Sequence, residues 1–431
     1  MRILVLSQYW WPENGVPQRR WSWLTSQLRE LGHDVVVIAP PPHYNRDISI
    51  TQYRHAVKQA RFECEVGPEG EKIWRCGYLP FNKSLTYRAL NQGIVALSSV
   101  LTCFRNRNNQ TFQPDLIIGT VPALPTAVAA LVAGRVLGVP YVIDLRDAWP
   151  DLLDLSESWN EGLGKRSFRE RVLRRGPLQL VSGLTRRALE YSYAHSSGMI
   201  LTSDFLRKEL GKRMATDSDS DTPPLFTIRN VFPPQAVSPR QGGSVRNNRR
   251  LHVLYAGTLG RAQQLSNAIE AVRLAKEYGC EVELRMVGAG ATSATLREEA
   301  QKSGLPIRVY GRKAASDVAE HYQWADTALV HLADWAPLRA AVPSKTFELI
   351  QLGIHISGAV DGETANIIKR LRAGDVVPPN NPEALAKLWC ELAVNPERLE
   401  IGSGPAEAVR IEALQRTPKT LTRMLQSVLE V

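Results

Sequence analysis

Residues 116–145 read LIIGTVPALPTAVAALVAGRVLGVPYVIDL. An apolar run, Leu116 to Thr120, gives way to a longer helix-length segment and then to a second apolar run, Tyr141 to Leu145. Short Val, Ile and Leu runs without polar alternation, separated by a helix, are the pattern of a βαβ unit in a parallel sheet covered on both faces. The pattern repeats outward in both directions. Strands are expected at Ile3 to Ser7 and Val35 to Ala39 on one side, and at Met199 to Thr202 and Phe226 to Arg229 on the other. Arg61 to Glu65 and Lys72 to Gly77, separated by Gly67-Pro68-Glu69-Gly70, read as a β-hairpin set into the series.

Between Met214 and Pro224 the composition shifts to Asp, Ser and Pro, and between Pro233 and Arg250 to Pro, Gly, Asn and Arg, as in exposed connections. The alternation then restarts, with strands expected at Val253 to Ala256, Val282 to Val287, Ile307 to Tyr310, Ala328 to Leu332, Ile354 to Gly358 and Val376 to Val377. The expected fold is α/β, with two Rossmann-like, doubly wound parallel-sheet domains at 1–232 and 251–411 joined by a linker at 233–250. They are expected to face each other across a cleft, with ligands at the carboxyl ends of the strands. A last helix, about 412–431, is expected to return to the first domain.

At 431 residues and 44% hydrophobic the chain is too apolar for disorder. Its 53 Lys and Arg against 43 Asp and Glu, a net +10, point to an anionic partner: a phosphorylated substrate, an acidic lipid surface or nucleic acid. No nucleic-acid motif accompanies the charge, so no nucleic-acid partner is expected. Five cysteines without CxxC spacing indicate neither a disulfide framework nor a zinc site, and fit a reducing cytosol. The apolar run after Met1 ends at Ser7, too soon for a signal peptide. Gly93 to Phe104, interrupted by Ser98, Ser99 and Thr102, is too short to span a bilayer.

Candidate chemistry sits where strands end. The first strand runs into Gln8-Tyr9-Trp10-Trp11-Pro12-Glu13-Asn14-Gly15, a loop whose Gly15 can bring backbone amides to an anion. Tyr141 to Leu145 ends in Arg146 and Asp147, a cation and a carboxylate able to orient an acceptor. Asp144 and Asp147 pairing with Arg146 is the structural alternative. In the second domain Gly257-Thr258-Leu259-Gly260-Arg261-Ala262-Gln263 turns from strand to helix, with backbone donors and Arg261 facing a diphosphate. Gly288-Ala289-Gly290 resembles a dinucleotide fingerprint. The next strand ends in Tyr310-Gly311-Arg312 without the expected acid, so NAD binding is discounted.

Most informative is Pro343-Ser344-Lys345-Thr346-Phe347-Glu348. Ser344 is read as an N-cap; Lys345 in the first turn opposes the helix dipole unless an anion sits there. Glu348, one turn on, can accept two hydrogen bonds from a ribose diol, and a plain Lys345 to Glu348 ion pair is the alternative. Asp217, Asp219 and Asp221 read as solvated carboxylates, and His331 as a structural histidine. Lys165, Arg166, Arg169, Arg171, Arg174 and Arg175 form a basic cluster suited to an anionic membrane surface. The amphipathic Leu85 to Phe104 can lie in the interface beside it.

These residues resemble the retaining glycosyltransferases of family 4 with the GT-B fold, in particular the bacterial polysaccharide-biosynthesis branch, over nearly the whole chain. Carrying the resemblance are Gln8 to Glu13, Asp144 to Pro150, Ile228-Arg229-Asn230, Tyr255 to Gly260 with Ala262-Gln263, and Pro343 to Gly353. It implies that the second domain binds a nucleotide sugar, usually a UDP-sugar, through Gly257, Thr258, Gln263, Gly288, Gly290, Gly311, Arg312, Ser344, Lys345 and Glu348, Glu348 holding the ribose. The first domain would take the acceptor, a lipid-linked or cell-envelope glycan. Arg146, Asp147, Arg261 and Lys345 are the catalytic candidates, and neither metal nor cofactor is needed. The family's usual first glutamate falls at Ala340 and its diphosphate-clamping Arg and Lys at Thr258 and Gln263; its histidine falls near Arg146 or Asp147. The implied protein is a cytoplasmic enzyme, peripheral on the inner face of the membrane. A nucleotide-sugar epimerase of the same fold and a non-catalytic scaffold are the alternatives.

Overall fold

Ile3 to Leu6 of β1 (Arg2–Leu6) and all of β5 (Leu116–Val121) are buried, with no polar face turned to solvent, because helices cover the sheet on both sides. The computed structural model describes residues 1–13, 15–43, 64–80, 85–109, 112–149, 151, 177–217, 222–234 and 250–429. The chain divides into two units, Met1–Arg229 with Thr417–Val431, and Asn230–Arg416.

In the first unit β1 is followed by α1 (Val16–Glu30), β2 (Asp34–Ala39), β3 (Cys64–Val66), β4 (Lys72–Arg75), α2 (Leu85–Asn106), β5, α3 (Pro125–Leu137), β6 (Tyr141–Leu145), α4 (Pro177–Ala194), β7 (Gly198–Leu201), α5 (Asp204–Asp217) and β8 (Leu225–Thr227). The sheet order is β3-β4-β2-β1-β5-β6-β7-β8; β3 runs antiparallel to β4 and every other pairing is parallel. The hairpin read from sequence is present as β3 and β4, and its first residues, 61–63, lie outside the described residues. Strand order reverses between β1 and β5, whose register pairs Ile3 with Leu116. That reversal opens a crevice at the carboxyl ends of the strands.

The second unit runs β9 (Arg250–Ala256), a 3-10 turn (Arg261–Gln263), α6 (Ser266–Glu277), β10 (Glu281–Val287), α7 (Ser293–Ser303), β11 (Ile307–Tyr310), α8 (Ala315–Trp324), β12 (Thr327–His331), a second 3-10 turn (Ala336–Ala340), α9 (Ser344–Gln351), β13 (His355–Ala359), α10 (Gly362–Leu371), β14 (Gly374–Val377), α11 (Pro382–Val394) and α12 (Gly404–Ile411). Its all-parallel sheet, β11-β10-β9-β12-β13-β14, reverses order between β9 and β12. Its core is a small-to-large fit. Ala268, Ala271 and Ala275 of α6 are fully buried, leaving room for Trp389, Leu385 and Leu392 of α11. Each large side chain so buried contributes about 1.5–3 kcal/mol.

Most of the linker at 233–250, the carboxylates Asp219 and Asp221, and the basic cluster at 165–175 lie outside the described residues. After α12 the chain passes through a π-turn (Glu412–Arg416) into α13 (Thr417–Leu429). Leu421, Met424, Leu425 and Val428, at helical spacing, are buried in the first unit, where α13 packs on α1 and β8.

Candidate active site

In the second unit the loops after β9, β10 and β11 are laced together. The amide of Gly257 donates to Val287 O at 2.9 Å, that of Leu259 to Ala289 O at 3.1 Å and that of Gly288 to Tyr310 O at 3.3 Å. A Cβ at Gly288 would collide with the Gly257 carbonyl oxygen, and one at Gly290 with that of Leu259. These glycines are therefore needed for loop-to-loop contact. The lacing also corrects the sequence reading, because the Gly257 amide is already occupied and is not a donor waiting for a diphosphate. Thr258, Gly311 and Arg312 are exposed at this edge, and Arg261, Gln263 and Gly288 are half-buried beside it. Across the strand-order reversal, the Ala333 amide donates to Ala262 O at 2.8 Å, tying the loop after β12 to the loop after β9.

That loop leads into α9, and a second reading changes there. Ser344 is the first helical residue and not the N-cap; Pro343, extended at φ −56° and ψ 130°, occupies the cap. Proline's fixed φ positions the chain for the turn, and no side chain caps this terminus. Lys345 stands in that uncapped first turn. Its Nζ donates to Glu348 Oε1 at 2.9 Å and to the Tyr322 hydroxyl of α8 at 2.8 Å, while that hydroxyl donates to the same Oε1 at 3.1 Å. Glu348 and Tyr322 are buried and Lys345 is half-exposed. The ion pair allowed by the sequence thus forms, but on a carboxylate withdrawn from water.

Tyr322 escaped the sequence reading, since an aromatic on an amphipathic helix carries no signal beyond core packing. Ala340, where the resemblance places a missing glutamate, is buried at the end of the second 3-10 turn. His331 ends β12 with its Nε2 2.8 Å from Asn267 Nδ2, and burial pushes its pKa down to about 4.

In the first unit the loop after β1 is closed by side chains. Gln18 Oε1 accepts from the Gly15 amide at 3.0 Å, and Gln18 Nε2 donates to Glu13 Oε2 at 3.1 Å. The Gly15 amide is therefore satisfied internally, a further departure from the anion-cradle reading. The other Glu13 oxygen accepts from the His43 amide at 2.7 Å, while Gln8 Nε2 lies 3.1 Å from His43 Nε2. His43 is buried between Tyr9 and Tyr78, and this burial lowers its pKa against the pull of Glu13.

At the end of β6, Asp144 is fully buried and pairs with Arg20 of α1, Nη2 to Oδ1 at 2.8 Å, and with Trp21 Nε1 at 3.0 Å. Arg20 Nη1 also donates to Ile228 O at 2.9 Å. Asp144 therefore accepts its hydrogen bonds from Arg20 and Trp21, and acts on Arg146 through its charge. The Nε and Nη1 of Arg146 are buried without a hydrogen-bond partner, an unusual state for a guanidinium. Next to it Asp147 reaches solvent. The protein packed around its carboxyl raises its pKa, and the charge of Arg146 opposes that rise. Among the described residues no group of three His, Cys, Asp or Glu is arranged to hold a metal ion.

The structure thus groups Lys345 and Glu348 at one uncapped helix end, Thr258, Arg261, Gln263, Gly288, Gly290, Gly311 and Arg312 along the loops of the same unit's carboxyl edge, and Arg146 and Asp147 on the other unit. Known proteins divide the chain in the same place. Residues 15–214 match the family described as glycosyl transferase 4-like domain, and residues 241–401 match glycosyl transferases group 1. WcaI of Escherichia coli (strain K12), provisionally described as a colanic acid biosynthesis glycosyl transferase, is 28% identical over 319 residues, covering 71% of this chain and 70% of WcaI. Among solved structures, sucrose-phosphate synthase of Thermosynechococcus elongatus aligns with a TM-score of 0.65 at 15% identity, covering 99% of both chains. Anabaena HepE, solved with UDP and glucose, aligns at 0.60 and 15% identity over the full length of both. The lipopolysaccharide glycosyltransferase WaaG aligns at 0.58 and 14%, covering 98% of each chain. The fold is GT-B, and the chain is a glycosyltransferase made of a glycosyl transferase 4-like domain followed by a glycosyl transferases group 1 domain.

Proposed function

We propose that the protein moves a sugar from a nucleotide donor, in the first instance a UDP-sugar, to a lipid-linked or cell-envelope glycan, with retention of configuration, at the cytoplasmic face of an anionic membrane. The observation that carries the donor half is the cluster of Lys345, Glu348 and Tyr322 at the uncapped start of α9. A buried carboxylate that already accepts two hydrogen bonds is pre-oriented for a ribose diol, and a half-exposed lysine at a helix amino end is placed for a diphosphate. HepE, solved with UDP and glucose on the same fold, and WcaI, described in colanic acid biosynthesis, support the choice of donor and acceptor class.

On this reading Arg261 and Lys345 stabilise the departing diphosphate as positive charge develops on the sugar, which is electrostatic catalysis by fixed groups. Asp147 orients the acceptor hydroxyl, and Arg146, with two unsatisfied donors, meets anionic charge on the reacting groups. The chain's own cations serve the leaving group, so the reading assigns no metal or cofactor.

The test is thermal stabilisation by a panel of UDP-, GDP-, ADP- and TDP-sugars, since a ligand bound to the native state raises its stability. One donor should stabilise the protein, and Glu348→Ala and Lys345→Ala should abolish the shift. The product's anomeric configuration, read by NMR once an acceptor is found, tests retention. A folded protein that no donor stabilises at millimolar concentration would leave the scaffold reading standing, and donor turnover without acceptor would favour the epimerase.

A further inference from the structure

Helix α2 mixes polar and apolar residues on its buried face and carries large apolar residues on its exposed face. Its buried face carries Asn91, Val95, Ser99 and Cys103 at four-residue spacing. Polar groups on this face and beside it, at Ser98, hold backbone atoms. Asn91 Oδ1 accepts from the Leu79 amide at 2.7 Å, Ser98 Oγ from the Gly77 amide at 2.6 Å, and Ser99 Oγ donates to Val95 O at 2.8 Å. The opposite face carries Leu90, Leu97, Leu101 and Phe104, each between 51% and 62% exposed. At about 3.6 residues per turn these four fall within about 60° of one another along about 21 Å of helix. A surface helix ordinarily turns polar residues to this outer side.

The charged side chains of α2 and α3 have one sign. Neither α2 nor α3, packed beside it, contains an Asp or Glu. Arg105 and Arg107 stand exposed at the end of α2, the latter with its guanidinium 4.6 Å from the Phe104 ring centroid. Val132 and Arg135 extend the same character onto α3, where Arg135 donates to Tyr191 of α4 at 2.8 Å. Packing of this face on a second copy would set arginine against arginine with no carboxylate from α2 or α3 to answer it. A lipid bilayer with anionic headgroups satisfies both features, taking the leucines and Phe104 into the acyl boundary and the arginines at the phosphates.

We propose that the outer face of α2, through Leu90, Leu97, Leu101 and Phe104 with Arg105 and Arg107 at its end, is the surface by which the first unit docks on an anionic phospholipid bilayer. The inference rests on the membrane part of the functional reading and gives it a location. It is independent of donor chemistry.

The test is co-sedimentation of the purified full chain with vesicles of phosphatidylethanolamine and phosphatidylglycerol, compared with phosphatidylcholine alone. The protein should bind the anionic vesicles, less so as salt rises. The triple variant Leu97→Gln, Leu101→Gln, Phe104→Gln should bind about tenfold or more weakly, as should Arg105→Glu with Arg107→Glu, whereas Leu97→Met with Leu101→Met should bind as the parent. Because these side chains are exposed, each variant should keep the parental melting temperature, and nucleotide-sugar stabilisation in vesicle-free buffer should be unchanged. That second readout separates failure of docking from failure of the transferase reading. Wild-type protein left in the supernatant with anionic vesicles, equal binding to neutral ones, or undiminished binding by the glutamine variant would each overturn the proposal. So would a concentration-dependent dimer that the same glutamines dissolve.

Discussion

The two units each hold a carboxylate against a cation near the carboxyl edge of a parallel sheet, and the two pairs are built for different ends. Asp144 and Arg20 are wholly enclosed, and every contact described for them lies within the unit: two nitrogens of Arg20, the Trp21 indole and the Ile228 carbonyl. Glu348 is equally enclosed, but its cation is not. Lys345 stays half-exposed at an uncapped helix start, held by the carboxylate and one phenol. The first pair is closed and fixes α1 onto β6. The second has one end open to solvent, as a group that must meet an incoming anion requires.

Breaking the closed pair should have the largest effect. Removing one member leaves a buried charge uncompensated, at a cost of about 3–5 kcal/mol, whereas replacing both with apolar residues restores part of the loss. Asp144→Ala should therefore lose that much in urea unfolding, and the double variant Arg20→Met, Asp144→Leu should recover some of it. A single variant within about 1 kcal/mol of the parent would show that the pair is not the anchor described here.

The next effect comes from acid. His331 is buried beside Asn267 with a pKa of about 4, against an ordinary 6.5. A histidine whose folded value is depressed contributes its full stability above pH 6.5. That contribution is lost as pH falls toward 4, where the unfolded chain takes up the proton first. The loss amounts to about 3 kcal/mol across that window. His331→Gln should flatten the stability profile between pH 6.5 and 4; an unchanged slope would assign it to other groups.

The open pair should respond in binding and not in folding. Glu348→Gln keeps an acceptor for Lys345 and Tyr322 but removes the charge, and hydrogen bonds to a charged group contribute about 1.5–3 kcal/mol. Donor affinity should then fall about tenfold to a hundredfold, measured by calorimetry, with urea unfolding little changed. Comparable losses in both measurements would make this pair a second structural anchor and end the contrast.

What could be read from sequence followed from how local the physics is. Strands buried on both faces announce themselves by composition, so Leu116–Val121 and Tyr141–Leu145 stand out unaided. Lys345 was legible because a cation in a first helical turn contradicts the dipole. Arg20 was not, since its partner lies 124 residues away and only folding brings them together. The use of Gly288 and Gly290 as loop-contact residues was hidden for the same reason: a glycine needed to clear another chain segment looks like one needed to meet a phosphate. The exposed apolar face of α2 was half visible. Its period was clear from the sequence, but which face points inward depended on the amides of Gly77 and Leu79, which seek Ser98 and Asn91.

The smallest effect belongs to the residue with the least sequence signal. The Tyr322 hydroxyl accepts from Lys345 and donates to Glu348, so it fixes the angle between the two without adding charge. In Tyr322→Phe the ion pair at 2.9 Å persists and the ring still fills its buried position, so only the hydroxyl's share, about 0.5–1.5 kcal/mol, is lost. If that share goes into holding Glu348 for the ribose, the KM for donor should rise about threefold to tenfold with kcat unchanged, because uniform binding is what disappears. If instead the hydroxyl steers Lys345 toward the leaving diphosphate, kcat should fall and KM stay. Either split keeps the lysine free to move while the carboxylate stays fixed. A loss confined to stability, with both constants unchanged, would reduce the open pair to another internal contact like Asp144 and Arg20.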